Sequence, residues 1–224
     1  RTAGIPESKL IELISSPIKG DHNCEVGYYP SISGVDIRIS SKKLKYIQSL
    51  QDQITTLLGK TVFALGDDSI EKIVVKKALE NEISLSIAES CTGGLIGHRI
   101  TQISGSSKIF KGSVVVYSNS SKVNLLGVGE NCINEFGAVS EETAKEMAER
   151  VRAMFSSEIG LSITGIAGPN GGSKEKPVGL TYIGLSTKQE TKVQKFQFGS
   201  IRNSNKLRAS QAALNWMRLE VSNV

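Results

Sequence analysis

Hydrophobic and polar positions fall into two blocks along the chain. In the first, Leu10, Ile11, Leu13 and Ile14 recur at helical spacing within Glu7–Ser16. Pro17 and the Gly20-Asp21-His22-Asn23 cluster predict its end. Glu25–Tyr29 and Gly34–Ser40 follow, and Val35, Ile37 and Ile39 alternate as in a strand. Lys43–Gly59 sets Leu44, Ile47, Leu50, Ile54 and Leu57 on one helical face, with Gly59 as a stop. Thr61–Leu65 predicts a further short strand, and Gly66-Asp67-Asp68 reads as a hinge. Residues 1–66 are therefore expected as a small α+β unit, and residues 67–224 as a second domain.

The second block alternates strands with helices. A helix over Ser69–Asn81 precedes a strand at Leu85–Ala88 and a helix at Leu95–Ile103. Ser113–Tyr117 holds three consecutive valines, a pattern that suits burial on both faces. A short helix is expected from Lys122 to Leu126. A longer one is expected over Ser140–Phe155, capped by Ser140 with Glu141 and Glu142 in its first turn. Leu161–Thr164 is a strand running into a glycine loop. Gly179–Ser186 and Val193–Phe198 read as a strand pair, and Asn205–Val221 as a closing helix with Leu207, Ser210, Leu214, Met217 and Val221 on one stripe. The alternation predicts an α/β fold, a three-layer α/β/α sandwich preceded by the small α+β domain.

Composition narrows the function classes. Apolar residues make up 39% and charged residues 22%, ordinary for a globular chain. A net charge of +5 suits a phosphate-bearing ligand, while the absence of a Lys/Arg run and an aromatic share of 5% argue against a dedicated nucleic-acid surface. Cys24, Cys91 and Cys132 are odd in number and widely spaced, and His22 and His98 lie far apart. Neither a metal site nor a disulfide framework is expected, and no cofactor. No apolar run approaches membrane-spanning length and no signal pattern opens the chain, so no membrane partner and a cytoplasmic location are expected. The first residue is Arg1, not Met, which reads as a fragment of something longer.

Four segments carry candidate chemistry, each where a strand meets a loop. In A-E-S-C-T-G-G (88–94), Ser90 sits where a strand releases the chain into a helix, and N–H groups near Cys91, Thr92, Gly93 and Gly94 could hold an oxyanion or a phosphate. Ser90 or Thr92 could equally be a helix cap. Cys91 is a rival nucleophile without a histidine nearby in sequence. In Y-S-N-S-S-K (117–122), Lys122 could serve Ser90 as a base if burial lowers its pKa. Taken alone it reads as a solvated helix lysine, and Tyr117 as a half-buried strand aromatic. T-G-I-A-G-P-N-G-G (164–172) packs four glycines into nine residues, a loop that can approach a ligand closely or simply turn. Arg202, between the last strand and the last helix, could pair with a phosphate or lie in solvent. What raises all four is their shared placement, since α/β folds build sites at strand-to-loop junctions.

Together, A-E-S-C-T-G-G (88–94), F-K-G-S-V-V-V-Y-S-N-S-S-K (110–122), G-A-V-S-E-E-T-A (137–144) and T-G-I-A-G-P-N-G-G-S-K-E-K-P-V-G (164–179) closely resemble the C-terminal domain of the CinA (competence/damage-inducible) family. That family includes nicotinamide-nucleotide amidase. Residues 1–66 resemble its small KH-like middle domain, and T-A-G-I-P-E-S-K-L resembles the exit from a preceding molybdopterin-binding-like domain absent here. The resemblance implies hydrolysis of nicotinamide mononucleotide to nicotinate mononucleotide and ammonia. It implies Ser90 as nucleophile, Lys122 as base, Tyr117 as a helper, Thr164 in the pocket and Arg202 on the phosphate, although G-S-I-R is only loosely like the family's G-D-R. The same segments offer Cys91, Thr92, Gly93, Gly94, Asn119, Gly165, Ala167 and Gly168 as substrate contacts. It also implies a homodimer acting on a small nucleotide. No G-x-x-G occurs in residues 1–66, so no nucleic-acid partner is expected there. The rival readings are a non-catalytic nucleotide-binding module, with Lys122 permanently charged, and an RNA-binding adaptor led by residues 1–66.

Overall fold

The computed structural model describes residues 1–20 and 22–222. Asp21, part of the expected terminating cluster, and residues 223–224 of the second block lie outside the described residues. The chain divides into two compact units, Arg1–Ile70 and Glu71–Val224.

The small unit holds helix α1 (Glu7–Gly20), the hairpin β1 (Glu25–Ser31) and β2 (Gly34–Ser40), and helix α2 (Leu44–Leu58). Leu10 and Ile14 of α1 meet Val35 of β2 and Leu50, Ile54 and Leu58 of α2 in one apolar cluster. The predicted face of α2 is rotated: Leu44 and Leu57 are exposed, and Leu58 is buried in their stead. Two further expectations fail. Helix α1 runs through Pro17 to Gly20. Proline there removes a single bond to the carbonyl of Leu13, which lies on an exposed side where water can replace it. Thr61–Leu65 forms no strand. Val62 makes one isolated bridge to Thr2, because Gly4–Pro6 turn the neighbouring chain away into α1.

The larger unit is built on a five-stranded sheet in the order β4-β3-β5-β6-β7: β3 (Leu85–Glu89), β4 (Phe110–Val115), β5 (Ile159–Gly165), β6 (Leu180–Ser186) and β7 (Thr191–Gln197). β3 runs parallel to both β4 and β5, while β6 and β7 run antiparallel. Helix α7 (Glu141–Phe155) covers one face, and α4 (Leu95–Thr101) and α8 (Arg202–Val221) cover the other, which is the three-layer sandwich expected. Helices α3 (Ile70–Glu80), α5 (Asn119–Asn124) and α6 (Glu130–Phe136) complete the unit; α6 was not anticipated. On the α7 side Met147 and Val151 pack with Ala88, Val116, Leu126, Val128 and Ile133. Each such large side chain, fully buried, contributes about 1.5–3 kcal/mol relative to exposure.

The valine run is placed differently from expectation. β4 begins at Phe110 and is an edge strand, so Val115 is 46% exposed, while the strand buried along its whole length is β3. Edge placement follows from topology: the chain leaves β3 through α4, returns beside it as β4, and later inserts β5 on the other side. On α8, Leu207 of the expected stripe is exposed, whereas Ser210, Leu214, Met217 and Val221 are buried. No helix among the described residues is long and apolar enough to cross a membrane.

Each unit encloses an apolar cluster of its own. Residues 67–224 expressed alone should therefore unfold in one cooperative thermal transition. An insoluble product, or one lacking such a transition, would contradict this.

Candidate active site

Ser90 follows the last residue of β3. Its N–H donates to the carbonyl of Ile163 in β5 (3.0 Å), and the N–H of Val116, just past β4, donates to the carbonyl of Glu89 (2.8 Å). These bonds continue the sheet pairing beyond the strand ends and fix Ser90 between two neighbouring strands. Helix α5 starts at Asn119, three residues before the expected Lys122, because the Ser118 hydroxyl accepts from the N–H of Ser121 and caps it. Lys122 is thus one turn into the helix, and helical side chains lean toward the N-terminus. Its amine reaches back to the Ser90 hydroxyl at 3.0 Å, the Val116 carbonyl at 2.9 Å and the Tyr117 carbonyl at 3.3 Å.

Both side chains are enclosed: Lys122 is 1% exposed and Ser90 7%. Burial holds the Lys122 amine below its ordinary value, and the neighbouring Cys91 pulls weakly the other way. The Cys91 thiol, also buried, is pushed up to about 12, principally by desolvation. A thiol so raised is protonated at neutral pH, which weighs against Cys91 as the nucleophile.

The loop after Ser90 has a second organiser that sequence reasoning missed. Glu89 is fully buried, and its carboxylate accepts from the N–H groups of Gly94 (3.0 Å), Ile96 (3.1 Å) and Gly97 (2.8 Å). Gly97 lies close to β4, where an added Cβ would stand 3.0 Å from the Ser113 side chain and 3.5 Å from the Glu89 carboxylate. The oxyanion expectation for this loop needs correction accordingly. The N–H of Gly94 is held by Glu89, and that of Gly93 by the Ser90 carbonyl (3.1 Å). In this loop only the N–H groups of Cys91 and Thr92 have no oxygen acceptor, backbone or side-chain, among the described residues. An acidic residue just before a nucleophile candidate, followed by glycines, is the signal that could have revealed Glu89.

The other expected residues divide into those brought together and those left apart. Arg202, the first residue of α8, donates to the carbonyl of Gly168 (2.8 Å) and to the Tyr117 hydroxyl (2.9 Å). Tyr117 is 59% exposed, so its ring stands outside the sheet while its carbonyl holds Lys122. The Thr164 hydroxyl is directed to the Ala138 carbonyl (2.6 Å), so its proton braces a neighbouring loop. Ala167 and Gly168 are tied to α8, since Asn205 donates to the Ala167 and Gly199 carbonyls. Asn205 was missed because, within a helical stripe, it reads as an ordinary polar position. Gly165 belongs to β5, packed close to the Leu180 carbonyl. Asn119 is exposed at the start of α5 and makes no side-chain hydrogen bond to the Ser90–Lys122 pair. Among the described residues no three His, Cys, Asp or Glu side chains converge as metal ligands would.

Comparison with known proteins bears on this arrangement. The family profile described as the CinA C-terminal domain matches residues 67–221, and the Damage-inducible protein CinA KH domain matches residues 1–64. A putative competence-damage inducible protein of Thermoanaerobacter pseudethanolicus is 39% identical over 96% of this chain and 53% of its own length. A CinA-like protein of Kosmotoga olearia is 41% identical over 97% of this chain and 54% of its own. The chain thus spans about half the length of the curated relatives it matches. The crystal structure of a competence/damage inducible protein from Agrobacterium tumefaciens is 34% identical and superposes with a TM-score of 0.66, covering 71% of this chain and 99% of that one. A CinA superfamily protein from Klebsiella pneumoniae, 23% identical, shares the fold with a TM-score of 0.67 over 69% of this chain and 97% of its own. By profile, by relatives matched along nearly its whole length and by fold, the chain belongs to the CinA family.

Proposed function

We propose that the larger unit is an amidohydrolase that converts nicotinamide mononucleotide to nicotinate mononucleotide and ammonia, with Ser90 as nucleophile and Lys122 as its base. The observation that carries this reading is the buried Lys122 amine 3.0 Å from the Ser90 hydroxyl, on a lysine whose pKa burial has lowered.

The surroundings of Lys122 support the proton transfer. As an ammonium it has three hydrogens and three acceptors: Ser90, Val116 and Tyr117. Loss of one proton leaves two hydrogens for the two carbonyls, and the lone pair then faces Ser90. The neutral amine takes the Ser90 proton as Oγ attacks the carboxamide carbon. The N–H groups of Cys91 and Thr92 receive the developing oxyanion. Lys122 returns its proton to the departing amide nitrogen, which leaves as ammonia, and an ester on Ser90 remains. Water then attacks the ester, giving a proton to Lys122. Collapse of that second intermediate frees the carboxylate, and Ser90 recovers its proton from Lys122. The glycine loop and Arg202 hold the ribose and phosphate.

Three outcomes are expected. Ser90→Ala should abolish ammonia release while the dissociation constant for the product nucleotide stays within a few-fold. Near-normal turnover by that variant would remove Ser90 as nucleophile.

Because the base form of Lys122 is the neutral one, kcat/KM should rise with pH along a limb below the ordinary lysine value of about 10.4. Lys122→Arg should be nearly as inactive as Lys122→Ala, since a guanidinium cannot accept the proton. Substantial rescue by arginine between pH 6 and 10 would assign Lys122 a merely electrostatic role.

The lowered pKa also has a sign for stability. Between the folded and unfolded pKa values the unfolded chain carries one proton more at Lys122, so stability rises with pH across that interval. Thermal melts from pH 6 to 10 should show wild type gaining stability relative to Lys122→Met. A pH-independent difference would mean that the amine is not perturbed.

A further inference from the structure

The sheet carries a second charged feature at the end opposite Ser90. Ser90 follows the last residue of β3, whereas Ser186 closes β6 opposite Gly160, at the end where β5 enters the sheet. Helix α7 lies close against the strands there. A Cβ on Gly160 would collide with the Ala148 carbonyl and stand 2.6 Å from the Arg152 Cβ, so glycine lets the stem of Arg152 rest on β5. The Arg152 Nε donates to the Ser186 hydroxyl (3.1 Å), and that buried oxygen also accepts from the Thr191 hydroxyl (3.0 Å). These bonds fix the guanidinium by one edge. The four hydrogens of its two terminal nitrogens have no acceptor among the described residues.

Arg152 lines a surface cleft of about 580 Å³ between α7 and the turn that joins β6 to β7. Lys145 and Arg150 of α7 and Lys188 of the turn line the same cleft, and none of the three makes a hydrogen bond or ion pair with a described residue. Two carboxylates line it as well. Glu190 is paired with Lys192, which leaves Glu149 facing four cations. Like charges gathered in this way repel one another, and the half-buried guanidinium has given up water without gaining a counter-charge. An anion rich in acceptor oxygens relieves both costs. The open edge of a guanidinium meets two oxygens of one phosphate side by side, and lysines add point charges from the rim.

We propose that this cleft is a second anion site, separate from the Ser90–Lys122 pair, that binds the phosphate group of a small molecule with Arg152 as its fixed donor and Lys188 as a rim charge. The site does not depend on the amidase reading.

Arg152 itself reports on the site, because its Nε–H gives an NMR signal that its loss in Arg152→Lys assigns. Titration of the full chain with inorganic phosphate at constant ionic strength should shift that signal saturably. Ribose 5-phosphate, titrated in parallel, separates the two sources of the group: binding at least as tight marks an organic ester as the occupant, and weaker binding marks the free ion. In Lys188→Gln the dissociation constant read at Arg152 should rise about fivefold, the loss expected for one exposed charge. In Arg202→Gln, at the Ser90 end of the sheet, it should stay within about twofold of wild type. A shift that grows linearly with phosphate or is matched by chloride would overturn the proposal. So would a constant unchanged in Lys188→Gln, or a saturable shift lost in Arg202→Gln.

Discussion

The candidate site depends on one contact, the buried amine of Lys122 against the hydroxyl of Ser90. Burying an amine disfavours its charged form, and each unit of pKa depression corresponds to about 1.4 kcal/mol between protonation states. The fold tolerates this because two backbone carbonyls, Val116 and Tyr117, serve either form of the amine. The contact is possible because β3 and β4 are parallel neighbours. Their carboxyl ends deliver Ser90 and the start of α5 to the same edge, and the lean of a helical side chain does the rest.

A second constraint keeps Ser90 where that contact needs it. Glu89 ties three N–H groups at the start of α4, so a seven-residue helix is anchored to the end of the strand that precedes it. The carboxylate also decides which backbone donors stay available, and those are the ones immediately after Ser90. On the far side, α8 closes the site through Arg202 and Asn205, which hold the glycine loop by its carbonyls. That helix is itself keyed to α4 and α3, since Arg99 of α4 binds Ser210 and Gln211 of α8 and Glu71 of α3. A displacement of α8 would therefore disturb the glycine loop and the Ser90 loop together.

Much of this was legible in the sequence. Strand–helix alternation specified the sandwich, and the placement of Ser90, Lys122, the glycine loop and Arg202 at junctions specified which end of the sheet to inspect. What escaped depends on three-dimensional neighbours. The valines at 114–116 read as a central strand, yet whether a strand is central or at an edge is decided by where β5 later inserts. Pro17 does not end α1, because the bond it removes faces solvent. Glu89 is not legible because a charged residue in a strand reads as exposed until its three backbone donors are seen. Asn205 and Lys206 lie on a polar stretch of helix, and Ala167 and Gly93, which they approach, are more than thirty residues away in sequence. Gly93 and Gly94 looked like oxyanion donors because sequence shows the glycines but not the carboxylate beside them.

The central claim is that Lys122 is neutral often enough to act as a base, and a site-specific titration tests it most directly. With lysine labelled at the side-chain carbon next to the amine, and Lys122→Arg used to assign the signal, its chemical shift can be followed by NMR from pH 6 to 11. The account requires a midpoint well below the ordinary lysine value of about 10.4, coinciding with the rising limb of kcat/KM. A midpoint at the ordinary value, with activity already maximal below it, would contradict the account.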